Sequence, residues 1–232
     1  MQDEFVNRNV VVTGGTGALG AVVVERLLQA GAICHVPARE ASGTGLVRHR
    51  HLHLVAGVDL VDEAAVDRFY DGVPELWASI HLAGGFAMAG VGDTTRAHFV
   101  HQFEMNTLTA FLCCRAAVRG MRRTGRGGRI VNVAARPGLD SRRGAGMAAY
   151  ATSKAAVAAL TVALAEELKD EHILVNAIAP STLDTPANRR AMPQADSSRW
   201  LSPDAAAQTL LQLASPANRE VSGALLPLYA RA

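Results

Sequence analysis

Along the 232-residue chain, short apolar runs alternate with longer segments whose apolar residues return every three or four positions. Short runs bounded by turn residues read as buried strands, and the 3.6-residue spacing reads as amphipathic helix. Strands are expected at 9–12 (NVVV), 32–36 (AICHV), 51–56, 76–82, 129–133 (RIVNV), 173–178 (ILVNAI) and 224–228, with helices between them. The first helix, about 17–30, repeats apolar side chains at Leu19, Val23 and Leu27, and Gly31 supplies a left-handed stop. A helix beginning near Tyr150 carries Ala151, Ala155, Ala156, Ala158, Ala159 and Ala163, small side chains that let it pack closely on a sheet or a second subunit. The alternation predicts an α/β fold, a single doubly wound parallel sheet of Rossmann type with helices on both faces. No linker, repeat or low-complexity tract divides the sequence, so residues 1–232 are expected to form a single domain.

Composition narrows the partners. The chain is 49% hydrophobic and 19% charged with a net charge of +2, too small to imply a polyanion. Arg115, Arg119, Arg122, Arg123, Arg126 and Arg129 cluster without interleaved aromatics, which reads as a solvated helix end rather than a nucleic-acid surface. Cys34, Cys113 and Cys114 fit neither a disulfide framework nor a metal spacing and point to a reducing compartment. The start, MQDEFVNRN, lacks a signal pattern, and the apolar run from residue 155 reads as too short to cross a bilayer. A cytoplasmic protein without nucleic-acid, membrane or metal partners is expected. His49, His51 and His53 fall on one face of a strand, where three imidazoles converge poorly on one ion, so a wet edge strand is the preferred reading.

The first strand runs into VVVTGGTGALG, residues 10–20. Gly15, Gly17 and Gly20 satisfy G-x-G-x-x-G between a strand and a helix, the setting in which backbone and helix N-terminus cradle a pyrophosphate. At the end of the second strand, VPARE places Ala38 and Arg39 where an acidic residue would hold a ribose hydroxyl. An Arg there accommodates a 2′-phosphate, so NADP(H) is favoured, while Glu40 keeps NAD(H) possible. Asp59, after the third strand, is either a partner for the adenine amino group or a loop-turn residue.

Tyr150 and Lys154 lie one helical turn apart on the same face. A free phenol, with a pKa of ~10, is a poor acid–base near neutrality, and a neighbouring ammonium is expected to pull that value down. Together with the glycine cradle the pair points to a phenol acting as general acid–base beside a dinucleotide.

These pieces, with AGG at 83, FEMN at 103, RIVNV at 129, YATSK at 150 and VNAIAPSTLDT at 175, resemble the short-chain dehydrogenase/reductase family from end to end. The resemblance implies that Tyr150 exchanges a proton with substrate oxygen, that Lys154 binds nicotinamide ribose and tunes Tyr150, and that Asn106 supports a water relay. It implies nucleotide contacts at Gly14, Gly15, Gly17, Leu19, Gly20, Arg39, Asp59, Ala83, Gly84, Lys154, Pro180 and Thr185, the last holding the carboxamide. His81 and Leu82 replace an Asn pair, Ser181 replaces a Gly, and Ala18 stands where many members have Gly. The strand-end serine, counted three residues after Asn132, is Ala135.

Three accounts of that loss compete: Ser141 steps in, the protein does no chemistry, or the substrate is reduced so easily that no donor is needed. A narrower resemblance favours the last. Residues 181–200, STLDTPANRRAMPQADSSRW, are similar to the substrate-side loop of quinonoid dihydropteridine reductases, and AGGF at 83–86 resembles their Ala-Gly-Gly-aromatic element, which would set Phe86 against the pterin. That branch also lacks the serine. The expected function is NAD(P)H-dependent reduction of a flat, electron-poor substrate. The alternatives are a reductase or dehydrogenase of another ketone or alcohol, aromatic or polyketide-like, and a non-catalytic nucleotide-binding regulator. Arg142 and Arg143, in an extra loop before Tyr150, either meet an anionic substrate or are solvated. The 181–200 segment has few strong helix signals and is expected to be mobile without ligand. A homodimer or homotetramer is implied by the family, with the helices at 98–120 and 150–168 as contacts.

Overall fold

A computed structural model describes residues 4–40 and 45–231. The first three residues of the N-terminal segment thus lie outside it. In chain order the elements are β1 (Asn9–Thr13), α1 (Ala18–Gln29), β2 (Ile33–Pro37), β3 (Leu52–Val55), α2 (Glu63–Asp71), β4 (Leu76–His81), α3 (Arg96–Phe103), α4 (Thr109–Thr124), β5 (Gly128–Val133), the one-turn α5 (Arg136–Leu139), α6 (Ala148–Glu167), β6 (Ile173–Pro180), α7 (Pro186–Ala191), α8 (Pro203–Ala214) and β7 (Leu225–Leu228). All seven strands pair in parallel in the order β3-β2-β1-β4-β5-β6-β7. Every expected strand is present, and Gly31, at φ +86°, closes α1 as its spacing predicted.

Alternation along the strands divides the core. Val10 and Val12 of β1 face α1 and α8 with Val36, Ile80 and Ile178, whereas Val11 faces α2, α4 and α6 with Ile130 and Val175. Helices on both faces leave the strands no wet side, which is why their runs are apolar throughout. By length and composition α6 would suffice to cross a bilayer, contrary to the reading of its apolar run, yet it packs on β5 and β6 with Val157, Ala158, Thr161 and Ala165 buried. The order of strands reverses between β1 and β4, and such a reversal opens a crevice at the carboxyl ends of the strands.

Two expectations are corrected and one is extended. Most of the arginine cluster is a solvated helix end, with Arg119, Arg122, Arg123 and Arg126 exposed, but its members are paired: Arg115 with Glu63 and Asp67, Arg119 with Asp67, Arg123 with Asp71 and Arg126 with Glu75, bracing α4 and the turn after it against α2 and its following turn, while Arg122 pairs with Glu171 and the buried Arg129 donates to Asn218 O. The expected helix at 98–120 is α3 and α4 joined by a π-helical turn, Glu104–Leu108. The 181–200 segment is partly helical, because Thr185 caps α7 by accepting the Asn188 N–H at 3.2 Å and Pro186 occupies its first turn. β3 is an edge strand, as expected of the histidine-rich segment. His49 and His51 precede it and meet edge to face, and His53 stacks on His35. Among the described residues no group of three His, Cys, Asp or Glu is arranged to hold a metal ion.

Candidate active site

A cleft of about 500 Å3 lies above the carboxyl ends of β1 and β4. It runs from Gly14 and Gly17 past Arg39 and Glu40 to Ala83, Gly84 and Met105. The turn after β1 explains its floor. Gly14 sits at φ +65°, and a Cβ there would stand 2.6 Å from the backbone nitrogen of Ala83, so only glycine lets β1 and β4 close the floor together. A Cβ on Gly20 would collide with the Gly14 carbonyl, so the helix could not approach the turn. Gly17, the N-cap of α1, makes no side-chain cap, and the first turn holds no acidic residue. Free N–H groups at the positive end of a helix dipole fit a pyrophosphate. Leu19 buries its side chain in the core, leaving only its backbone to the cleft.

At the far end of the cleft from Gly84, the structure joins two residues that the sequence treated separately. Arg39 Nη2 lies 3.8 Å from Asp59 Oδ1, and Asp59 also accepts the Val61 N–H. Both side chains are exposed, so the pair is weak and Arg39 stays available to an incoming anion.

The other end of the cleft is held by Asn106. In the π-turn between α3 and α4, its side chain accepts from Gly85 N–H (3.1 Å) and donates to Gly85 O (3.0 Å), Gln102 O (3.1 Å) and Ser153 Oγ (3.2 Å). Ser153 precedes Lys154, so one amide ties the glycine strip to α6. A Cβ on Gly84 would fall 2.6 Å from Asn106 Oδ1 and 3.4 Å from Lys154 Nζ, which places both side chains against that glycine. Lys154 is buried and donates to Val133 O at 2.9 Å, and burial brings its pKa down to about 8. Met105, Thr109, Ser153 and the Val133 carbonyl escaped the sequence reading. The first three lie one or three residues from named motif positions, but the carbonyl carries no sequence signal at all.

The expectation that Lys154 depresses the Tyr150 pKa is corrected: burial pushes the phenol up to about 12. Desolvation disfavours phenolate, and the ammonium that would stabilise it is committed to Val133 O. Tyr150 therefore holds its proton at neutrality and is suited to donate it. The Phe86 ring stands edge-on to Tyr150, centroids 4.9 Å apart, and is 60% exposed, leaving a face for a flat ligand. Ala135, buried at the end of β5, offers only a methyl group.

The remaining positions are distributed around this centre. Pro180 ends β6, and Thr185 follows, its oxygen used in the α7 cap and its hydroxyl hydrogen left to donate. Ser141, Arg142 and Arg143 lie exposed on a 3₁₀ turn, Ser141 with no side-chain hydrogen bond among the described residues and Arg143 3.7 Å from Asp140.

The profile of the family described as short chain dehydrogenase matches residues 8–196. The chain is 34% identical to galactitol 2-dehydrogenase of Rhizobium johnstonii, covering 93% of this chain and 91% of that one. It is 30% identical to the 3-oxoacyl-acyl-carrier-protein reductase of rhamnolipid biosynthesis in Pseudomonas aeruginosa, over 97% and 95%. Among solved structures, an oxidoreductase of Burkholderia thailandensis superposes with a TM-score of 0.85 at 26% identity over 96% of this chain and 91% of that one. ElxO with NADP bound superposes at 0.87 with 21% identity, covering 96% and 97%, a likeness of fold. A glycine cradle, a Tyr and Lys one turn apart and a match of this extent lead to one conclusion: the chain belongs to the short-chain dehydrogenase/reductase family of NAD(P)-dependent oxidoreductases.

Proposed function

We propose that the protein is an NADPH-preferring reductase of a flat, electron-poor ring such as a quinonoid dihydropteridine, with Tyr150 as the proton donor. The observation that carries the reading is the exposed Phe86 ring standing against Tyr150, taken with the alanine at position 135 where the family's strand-end serine would stand. A developing oxyanion deprived of one preorganised donor loses a factor of roughly 10²–10³ in rate. A ring that regains aromatic-like stabilisation as it is reduced needs that donor less.

A bound nicotinamide nucleotide supplies the hydride. Tyr150 delivers a proton that burial keeps in place, Lys154 holds positive charge beneath the reacting region, and Asn106 fixes the strip at Gly84 and Gly85. Arg39, exposed in the cleft wall, favours a 2′-phosphate, and the Thr185 hydroxyl is free to donate to a carboxamide. The 181–200 segment covers the substrate and moves without it, and Arg142 and Arg143 meet any anionic group at the rim. Exposed Phe99, Leu108 and Phe111 around the π-turn supply the apolar face on which a second copy packs. The buried, unpaired cysteines suit the cytoplasm.

A second reading, a ketone reductase or alcohol dehydrogenase, is favoured by the relatives, named for galactitol and for a 3-oxoacyl carrier-protein substrate. Steady-state NADPH oxidation separates the two. Turnover of quinonoid dihydropterin with a silent ketone and polyol panel supports the first, and the reverse supports the second. In either case Tyr150→Phe is expected to lower kcat by about 10²–10⁴.

A further inference from the structure

Arg136 follows Ala135 directly and begins α5, so it leaves the sheet at the position of the missing serine. Its guanidinium carbon lies 4.7 Å from the centre of the Tyr229 ring. Tyr229 stands just past β7, and its carbonyl accepts from Ser181 Oγ at 3.1 Å, while Ser181 N–H donates to Leu228 O at 3.0 Å. The cation therefore sits where the end of β5, the tail of β7 and the first residue of the 181–200 segment meet, on the half of the sheet away from β2 and Arg39. Its platform is tight. A Cβ on Gly138 would stand 2.8 Å from the Lys154 carbonyl carbon, so α5 is pressed against α6 at the lysine that follows Tyr150 by one turn.

What this cation lacks is an acceptor. Arg136 is partly exposed, yet its Nε is shut off from solvent without a partner, and its side chain makes no hydrogen bond or ion pair to any described residue. Arg115, whose Nε is buried in the same way, is neutralised by Glu63 and Asp67. Two acids close in sequence to this junction are occupied: Asp140 faces Arg143 at 3.7 Å, and Asp184 holds Arg189 at 2.6 Å. Taking a guanidinium partly out of water without an acceptor is unfavourable, and an aromatic ring offsets only part of that by its attraction for the charge. A guanidinium presents its N–H groups as a planar fork that meets a carboxylate with two parallel hydrogen bonds, and its single charge matches a singly charged anion. We infer that Arg136 determines specificity by binding a carboxylate of the substrate beside the Tyr229 ring. The site is distinct from the rim, where Arg142 and Arg143 stand exposed. This deepens the proposed function and rests on its placing of the substrate beneath the 181–200 segment.

The test is a fluorescence titration of the protein loaded with NADP+, using pterin and its 6- and 7-carboxylates, which add the anion at two places on one ring. At least one carboxylate is expected to bind wild type roughly 10–100-fold more tightly than pterin does. Arg136→Gln is expected to lose that preference while NADP+ affinity, the measure of an intact fold, stays unchanged. Arg136→Lys, which keeps the charge without the fork, is expected to retain only part of it. A preference that survives Arg136→Gln belongs to other cations and overturns the subsite. If none of the three pterins binds, the reading of the ring falls by itself, and the subsite is then measured by NADPH oxidation with 4-acetylbenzoate against acetophenone. The absence of an Arg136-dependent preference for the carboxylate in both series overturns the subsite.

Discussion

Lys154 Nζ donates to the Val133 carbonyl at 2.9 Å, so the ammonium of the catalytic helix is tied to the end of β5 and not to the phenol one turn before it. Burial then sets two different titrations, Lys154 at about 8 and Tyr150 at about 12. Reduction needs the phenol protonated and the amine charged. As pH rises, the amine loses its proton first. kcat/KM for reduction is therefore expected to fall through about pH 8 with the slope of one proton, and Lys154→Arg, whose side chain stays charged, to remove that limb. A pH profile whose only fall lies near the phenol's value would contradict the assignment.

Arg39 stands in the cleft wall, and among the described residues a 3.8 Å contact to Asp59 is its one ion pair. Arg39→Ser removes the cation that would pair with a 2′-phosphate and leaves the ribose hydroxyls untouched. The ratio of kcat/KM for NADPH over NADH is expected to drop roughly 10–100-fold, by loss of charge-assisted hydrogen bonds. An unchanged ratio would assign Arg39 to the Asp59 pair alone.

Ala135 is 4% exposed at the end of β5, and serine adds one oxygen there. Ala135→Ser is expected to raise kcat/KM on simple ketones by as much as ~10²–10³ while changing turnover of a quinonoid ring little. Parallel assays on both substrate types check it. Equal gains on both would remove the explanation offered for the missing hydroxyl.

His81, fully buried, bridges Ser79 Oγ at 2.8 Å and Asn132 Oδ1 at 2.8 Å, and Asn132 Nδ2 continues to Thr161 Oγ1 of α6 at 3.0 Å. Asn132 Oδ1 can only accept, so Nδ1 carries the imidazole proton and Nε2 accepts from Ser79. Burial lowers the His81 pKa from 6.5 to about 4. Between those values the unfolded chain binds a proton that the folded one refuses. Stability therefore falls as pH drops from 6.5 towards 4, by roughly 3 kcal/mol for this residue. His35, likewise lowered to about 4, acts in the same window. His81→Asn is expected to reduce the acid loss and leave the share due to His35. Urea unfolding near pH 7 and near pH 5, at constant m value, measures the difference.

The seven strands, α1 with its Gly31 stop and the phosphate-binding turn were legible because each depends on short-range order. Apolar runs, glycine spacing and a one-turn separation survive in the linear chain. Thr185 and Pro186 also carried a helix start that the dominant reading of 181–200 as loop passed over. The ion pairs of the arginine cluster were hidden for a different reason. Its carboxylates lie about fifty residues away, and no local pattern shows that α2 will pack against α4.

By itself the sequence determined the parallel sheet, the place of a dinucleotide and the Tyr150 and Lys154 pair, because backbone geometry and helical pitch fix these wherever such residues occur. Only the tertiary structure decided the state of that pair. A pKa depends on how much water is excluded and on which carbonyl an ammonium reaches, and Val133 is brought to Lys154 by the packing of α6 on β5. The same packing put Phe86 on the edge of Tyr150 and left the Gln102 amide buried without a partner, relationships that exist only once distant segments share one interior.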